Sequence, residues 1–313
     1  MANVIIKVEN LIVDFENVTA CKNLSFQVEA GEIFGLVGPN GAGKTTTLRV
    51  LATLQKPTSG SVKIKNFDLE SHAKQIRKII GFMPDFSPVY EELRVWEFLE
   101  LYAGAYGIGK TERKNRIDTE LQRVNLTEKK DTFIGELSRG MKQRLILAKT
   151  LLPQPEILLL DEPASGLDPV ARKELSDILK DLTTKKTTII ISSHILTELS
   201  GLCTSIGIME KGEMIRWGRI EELSDIPSGM ICIEIKTLNP VRNLKEVLIL
   251  FDGFKNLVQI QDNSFEIILE GNESIIPNLI KFLAEKNIPV SEIKQKREDI
   301  QSIFFKTGAK DVS

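Results

Sequence analysis

Short alternating runs of apolar and polar residues open the chain, with Ile5, Val8, Phe26 and Val28 among the apolar positions between Val4 and Phe34. That period predicts antiparallel strands. They lead into the apolar run Ile33 to Val37 and a glycine-rich turn, after which Thr45 to Leu54 reads as a helix. Val95, Phe98, Leu99 and Tyr102 recur at i, i+3, i+4 and i+7, and helical patterning continues through the charged stretch to Leu126. Farther on, the apolar runs Ile157 to Leu160 and Thr188 to Ile191 alternate with amphipathic helices predicted over Val170 to Leu182 and Ile195 to Leu202. Continuous apolar strands between helices imply a parallel sheet buried on both faces.

Near Glu222 the pattern changes, and Asp225-Ile-Pro-Ser-Gly reads as a linker because Pro and Gly punctuate regular structure there. Two domains are therefore expected, residues 1–225 and 226–313. The second reads as strand Met230 to Lys236, helix Val241 to Phe251, strands Leu257 to Gln261 and Ser264 to Leu269, helix Ser274 to Lys286 and strand Pro289 to Lys294. This β-α-β-β-α-β order is the ferredoxin-like pattern. A last helix is predicted over Glu298 to Phe305.

Composition narrows the function classes. With 42% apolar and 27% charged residues and a net charge of -2, the chain reads as an ordinary globular protein, without the basic excess of a phosphate-backbone binder. Cys21, Cys203 and Cys232 lie far apart and lack metal-ligand spacing, which fits a reducing cytosol. The N-terminal stretch carries charges within its apolar run and no small-residue cleavage site, so it does not read as a signal peptide. No apolar stretch approaches the roughly 20 residues of a spanning helix, so a membrane role needs a partner chain.

Gly38-Pro39-Asn40-Gly41-Ala42-Gly43-Lys44-Thr45, followed by Thr46, matches the phosphate-loop pattern G-x-x-x-x-G-K-[ST] between a strand and a helix. Glycines let backbone N–H groups approach phosphates, Lys44 reaches the β and γ phosphates, and the Thr45 hydroxyl can ligate Mg²⁺ at a helix end that favours anions. Asp161 and Glu162 stand at the C-terminal end of a buried strand, where α/β sheets bind ligands. Alone they would be a solvated strand end. Beside a phosphate loop, Asp161 is the expected Mg²⁺ organiser and Glu162 the expected base or water positioner for attack on the γ phosphate.

Leu137-Ser-Arg-Gly-Met-Lys-Gln-Arg, upstream of that strand, resembles the LSGGQ signature of the ATP-binding cassette (ABC) family. Ser165-Gly-Leu-Asp168 and His194 match, in order, the turn and the switch histidine that follow the acidic residues in that family. The resemblance covers about Val4 to Glu222. It implies an α/β P-loop fold with an antiparallel β edge, a parallel core sheet and a helical subdomain. ATP and Mg²⁺ would lie between the phosphate loop of one copy and Ser138 and Gly140 of a second, facing copy. Ser138 also fits an ordinary helix N-cap. His194 would contact the γ phosphate, and Phe15 aligns with the aromatic that stacks on adenine, although a Phe in an apolar stretch also fits a core.

This sequence departs from the family where Asp85, in Ile80-Gly-Phe-Met-Pro-Asp85, replaces the usual Gln near Mg²⁺ and the attacking water. A carboxylate can still meet the metal, but it adds negative charge. Arg139 and Met141 also replace the usual Gly and Gln of the signature. Trp96 lies where transporter cassettes receive the membrane subunit, yet it also fits the edge of a core. The C-terminal segment is similar to the accessory domain of bacterial drug, sodium and polysaccharide exporters. The resemblance thus implies an export ATPase, homodimeric, held at the cytoplasmic face of the membrane by a polytopic permease, with no nucleic-acid partner. The alternative is a non-transport ABC ATPase of translation or DNA repair, which would more often carry tandem cassettes, long inserts or basic arms. A silent binding module would be expected to lose Lys44, Asp161 or Glu162.

Overall fold

The computed structural model describes residues 3–199, 201–223, 229–241 and 243–296. These divide into two compact units, the first ending at Arg219 and the second beginning at Ile220. The linker segment Asp225 to Ser228 and the helix expected over Glu298 to Phe305 lie outside the described residues.

The first unit opens with strands β1 (Val4–Phe15), β2 (Val18–Glu29) and β3 (Ile33–Val37), then helix α1 (Lys44–Leu51). Strands β4 (Ser59–Ile64) and β5 (Phe67–Asp68), helix α2 (Ala73–Ile79) and strand β6 (Ile80–Met83) follow. A helical stretch holds α3 (Val95–Ala105), α4 (Lys110–Arg123) and α5 (Arg139–Leu151). The unit closes with β7 (Ile157–Leu160), α6 (Pro169–Thr184), β8 (Thr188–Ser193), α7 (Leu196–Leu199), β9 (Ser205–Glu210) and β10 (Glu213–Arg219).

Two sheets share one core. Strands β2-β1-β4-β5, in that order, form an antiparallel sheet, the expected β edge. The second sheet runs β10-β9-β3-β8-β7-β6, parallel except for β10. Phe26 of one sheet stacks on Phe34 of the other with ring centroids 5.4 Å apart. Every residue of β3, β7 and β8 is buried, as continuous apolar runs between two layers require.

Several elements differ from expectation for local reasons. Helical patterning through Leu126 is broken after Ala105, where Gly107 has φ 75° and Gly109 precedes α4. Strand β9 went unread because Ser205 and Gly207 interrupt its apolar run. Trp96 stands 36% exposed on α3, which fits both the edge of a core and a partner contact.

The second unit comprises α8 (Ile220–Leu223), β11 (Met230–Thr237), α9 (Leu244–Leu248), β12 (Phe254–Gln261), β13 (Ser264–Glu270), α10 (Ile276–Glu285) and β14 (Val290–Lys296). Its sheet, β12-β13-β11-β14, is antiparallel throughout and carries the split β-α-β arrangement of the ferredoxin-like pattern. Ile233, Ile235, Phe265 and Ile267 form its core with Leu248, Leu279 and Leu283 of α9 and α10. The helix expected over Val241 to Phe251 is shorter, confined to Leu244–Leu248.

Candidate active site

Neighbouring parallel strands bring the chemistry to one edge of the sheet. The C-terminal ends of β3, β6, β7 and β8 lead respectively to the phosphate loop, Asp85, Asp161 with Glu162, and His194. Backbone bonds fix the loops to one another: Gly38 N–H donates to the Ser193 carbonyl (3.4 Å), and Asp161 N–H donates to the Met83 carbonyl (2.9 Å).

The phosphate loop closes at Gly43, whose φ of 99° disfavours any residue with a Cβ. An added Cβ there would also lie 2.5 Å from the Ala20 carbonyl oxygen. Helix α1 starts at once with Lys44, so the N–H groups of Lys44, Thr45 and Thr46 belong to a first turn that lacks intrahelical acceptors. Such an end accepts an anion. Lys44 is only 5% exposed, and its ammonium donates to the Gly38 carbonyl (2.7 Å) and the Pro39 carbonyl (3.2 Å). A buried cation needs counter-charge. Glu162 Oε1, 3.4 Å away, is the carboxylate present.

Asp161, 1% exposed, accepts hydrogen bonds at Oδ1 from the Thr45 hydroxyl (3.1 Å) and the Ser192 hydroxyl (2.7 Å). Ser192 in turn accepts from the Glu162 N–H (2.9 Å), so one serine holds both acidic residues. Glu162 has φ 48°, a strained backbone position for a non-glycine residue at the mouth of a site. Its Oε2 lies 2.8 Å from His194 Nδ1 and accepts the His194 N–H (3.3 Å). A carboxylate only accepts, so Nδ1 carries the proton in this arrangement. The neutral ring then presents Nε2 as an acceptor, and donation from Nε2 to a phosphate requires the doubly protonated ring.

A hydroxyl and a carboxylate converging within 3.1 Å fit Mg²⁺, a hard cation that takes one or two protein oxygens plus substrate phosphates and water. Among the described residues no three His, Cys, Asp or Glu side chains form an all-protein metal cage. Thr45 and Asp161 would hold the ion, which supplies charge neutralisation to the transferring phosphoryl group.

Asp85, exposed at the mouth of the site, holds its proton above the ordinary aspartate range, first through partial desolvation and then because Asp161 and Glu162 repel its charge; Arg139 and His194 oppose the shift. The Arg139 guanidinium donates to the Ser165 carbonyl (2.9 Å) and so grips the Ser165 to Asp168 turn. In the sequence Arg139 stands out only as a departure from the signature, with nothing to show this contact. Sequence reasoning also missed Ser192, although a serine at the end of a buried apolar run is a recognisable signal for a partner.

Other expected site residues stand apart from this cluster. Ser138 is the N-cap of α5 and accepts the Met141 N–H (3.3 Å). Gly140 packs against α6 so closely that an added Cβ would sit 2.7 Å from Ala171 Cβ. Asp168 caps α6, taking the N–H groups of Val170 and Ala171, each at 2.9 Å. Phe15 lies 49% exposed at the end of β1, outside the core.

A family model described as ABC transporter matches residues 21–165. The chain is 33% identical over 303 residues to the uncharacterized ABC transporter ATP-binding protein YxlF of Bacillus subtilis, across 96% of this chain and 98% of that protein. It is 37% identical over 224 residues to Nod factor export ATP-binding protein I of Burkholderia thailandensis, across 72% of this chain and 74% of that protein. Linearmycin resistance ATP-binding protein LnrL of Bacillus subtilis is 29% identical over 302 residues, with 96% and 97% covered. Among solved structures, an ATP-binding subunit of an ABC transporter superposes with a TM-score of 0.62 at 30% identity, over 70% of this chain and 91% of that one. A cassette solved as a dimer in a post-hydrolysis state with ADP and phosphate gives 0.61 at 26% identity, over 68% and 98%. Phosphate loop, acidic strand end and likeness along nearly the whole chain converge: this chain belongs to the ATP-binding proteins of ABC transporters, P-loop ATPases that bind ATP.

Proposed function

We propose that the chain is the ATP-hydrolysing subunit of an exporter, in which two copies close head to tail around ATP and drive a separate polytopic membrane subunit. The observation that carries hydrolysis is the buried Lys44–Glu162 pair, met by the half-buried His194, beside Thr45 and Asp161. In this reading Lys44 and the phosphate-loop amides from Gly38 to Thr46 bind the β and γ phosphates. Glu162 takes the proton of the attacking water, and His194 fixes the Glu162 carboxylate through Nδ1. Asp85 keeps a contact to the metal or its water. Phe15, exposed at the strand end, stacks on adenine.

Ser138 and Gly140 are assigned to the facing copy's ATP. They present a helix N-terminus and make no hydrogen bond to their own phosphate loop among the described residues. No helix among the described residues is long and apolar enough to cross a membrane, and in this reading the separate membrane subunit supplies the spanning segments. Export draws support from the relatives named for Nod factor export and linearmycin resistance. Residues 226–313 are assigned to an accessory domain.

Steady-state hydrolysis with ATP and Mg²⁺ tests the core of this reading. Glu162→Gln is expected to lower kcat by about 100-fold or more, the range of a lost general base, while ATP binding persists. Unchanged turnover would remove Glu162 from the chemistry. Capture of that variant from its native cells should retain a polytopic membrane protein; ribosomes or DNA-repair proteins in its place would favour the non-transport alternative.

A further inference from the structure

The loop that carries His194 is tied to the Ser165 to Asp168 turn by an ionic relay whose carboxylate is buried and whose guanidinium is a third exposed. Ser193, the residue before His194, accepts the Ile195 N–H (2.9 Å) and donates its hydroxyl to Glu198 Oε2 (2.7 Å). The Glu198 side chain is fully buried. Its Oε1 has no hydrogen-bond donor and faces Arg172 Nη2 across 3.4 Å. The same Arg172 nitrogen reaches the Leu167 carbonyl (3.3 Å), within the turn itself. Arg139 grips that turn from the other side at the Ser165 carbonyl.

With Glu198 fully buried and Arg172 a third exposed, the ion pair is poor stabilisation. Desolvating the Glu198 carboxylate offsets much of the attraction, and solvent at Arg172 screens part of the rest. Here the pair is not even saturated, since Arg172 Nε also lacks a partner. Two long contacts on one guanidinium nitrogen describe a link that can tighten when the turn moves. Geometry supplies the alternative to stabilisation: one end of the relay is the turn after Glu162, and the other is the backbone next to the ring that holds Glu162 Oε2.

We infer that Arg172 and Glu198 are positioning residues that set the His194–Glu162 contact according to the position of the Ser165 to Asp168 turn. Their partners are the Leu167 carbonyl, the Ser193 hydroxyl and each other, and not Lys44, Asp161 or Glu162. Their catalytic consequence rests on the hydrolysis reading above, but their effect on the His194 ring does not.

The chain has two histidines, His72 and His194, so ¹⁵N-histidine spectra of the full chain report the ring directly with an internal control. His72 precedes α2, with Ser71 and Phe67 as its ring neighbours. Glu198→Gln keeps an acceptor for Ser193 while removing the charge. Arg172→Met removes the other partner from a different helix. Both variants should move the His194 ring signals in the same direction and leave those of His72 in place, and the double variant should match the singles. Turnover should fall about tenfold, within the range that small misplacements of reacting groups produce, with KM for ATP within about twofold. His194 signals unmoved by Arg172→Met, or additive changes in the double variant, would overturn the relay. A wild-type chain without hydrolysis sensitive to Glu162→Gln would instead overturn the hydrolysis reading, and the ring signals would still decide the relay.

Discussion

Asp85 places a third carboxylate near Asp161 and Glu162, and the cost of that arrangement can be read in its titration. Partial desolvation and the two neighbouring acids hold its proton above the usual aspartate range. When pH falls through that raised value, a negative charge near the triphosphate site disappears, so ATP binding should tighten. When pH rises again, the charge returns and binding weakens. Asp85→Asn removes the charge at every pH. The ratio of KM for ATP in the parent chain to that in the variant should therefore exceed one near neutrality, by a few-fold, and approach one toward acid. A ratio that is constant with pH would mean that Asp85 does not feel the phosphates. Loss of kcat in the variant at neutral pH would point to the metal or water contact assigned to this carboxylate.

Helix ends, more than helix bodies, decide what this site can do. The turn between Glu162 and α6 bends at Gly166, where φ is 67° and an added Cβ would lie 2.4 Å from the Arg139 guanidinium carbon. Gly166→Ala should destabilise by about 1 kcal/mol or more, from the unfavourable φ together with displacement of Arg139. Adding Arg139→Gly, the residue usual at this signature position, should restore the steric part and leave the conformational part. Thermal melts of the two singles and the double separate the terms, and equal losses in the presence or absence of Arg139 would refute the clash. The same region shows where sequence stops being informative. Phosphate loop, acidic strand end and signature were legible because each is a contiguous run whose residues share one element boundary. Strands β7 and β8 were legible because β7 is apolar throughout and β8 carries the apolar run Ile189 to Ile191. Arg139 to Ser165 and Arg172 to Glu198 join residues 26 apart in sequence, each from a different element, and neither contact imposes a local pattern. Ser138 was read correctly as a helix cap, but no pattern in one chain can decide what a second copy brings to it.

At the scale of the molecule, two cores with different ionic environments allow each unit to be followed separately. The cassette core gathers Phe26, Phe34, Leu48 and Leu159, whereas the second unit builds on Ile233, Phe265 and Leu279. In the second unit Glu292 faces Lys236 (2.9 Å) across β11 and β14 and also meets Lys294. Hydrogen bonds from Lys294 and then Lys236 pull its carboxyl down from 4.5 to about 2. Because the folded value lies below the unfolded one, the contribution to stability is present above about 4.5 and is lost as pH falls through about 2. Solvent screens so open a pair, so the effect is small. Amide hydrogen exchange resolves it where a whole-chain melt would not. At neutral pH, Glu292→Gln should raise exchange in β11 and β14 by a few-fold relative to the parent chain, while amides of β3, β7 and β8 stay unchanged. Repeating the comparison from pH 4.5 downward, with intrinsic rates divided out, should show the difference shrinking as pH falls through about 2 and approaching zero only below it, as the parent carboxylate takes up its proton. A difference that persists well below pH 2 would trace the effect to packing around Glu292 and not to its charge, because only there do both chains carry a neutral side chain at this position.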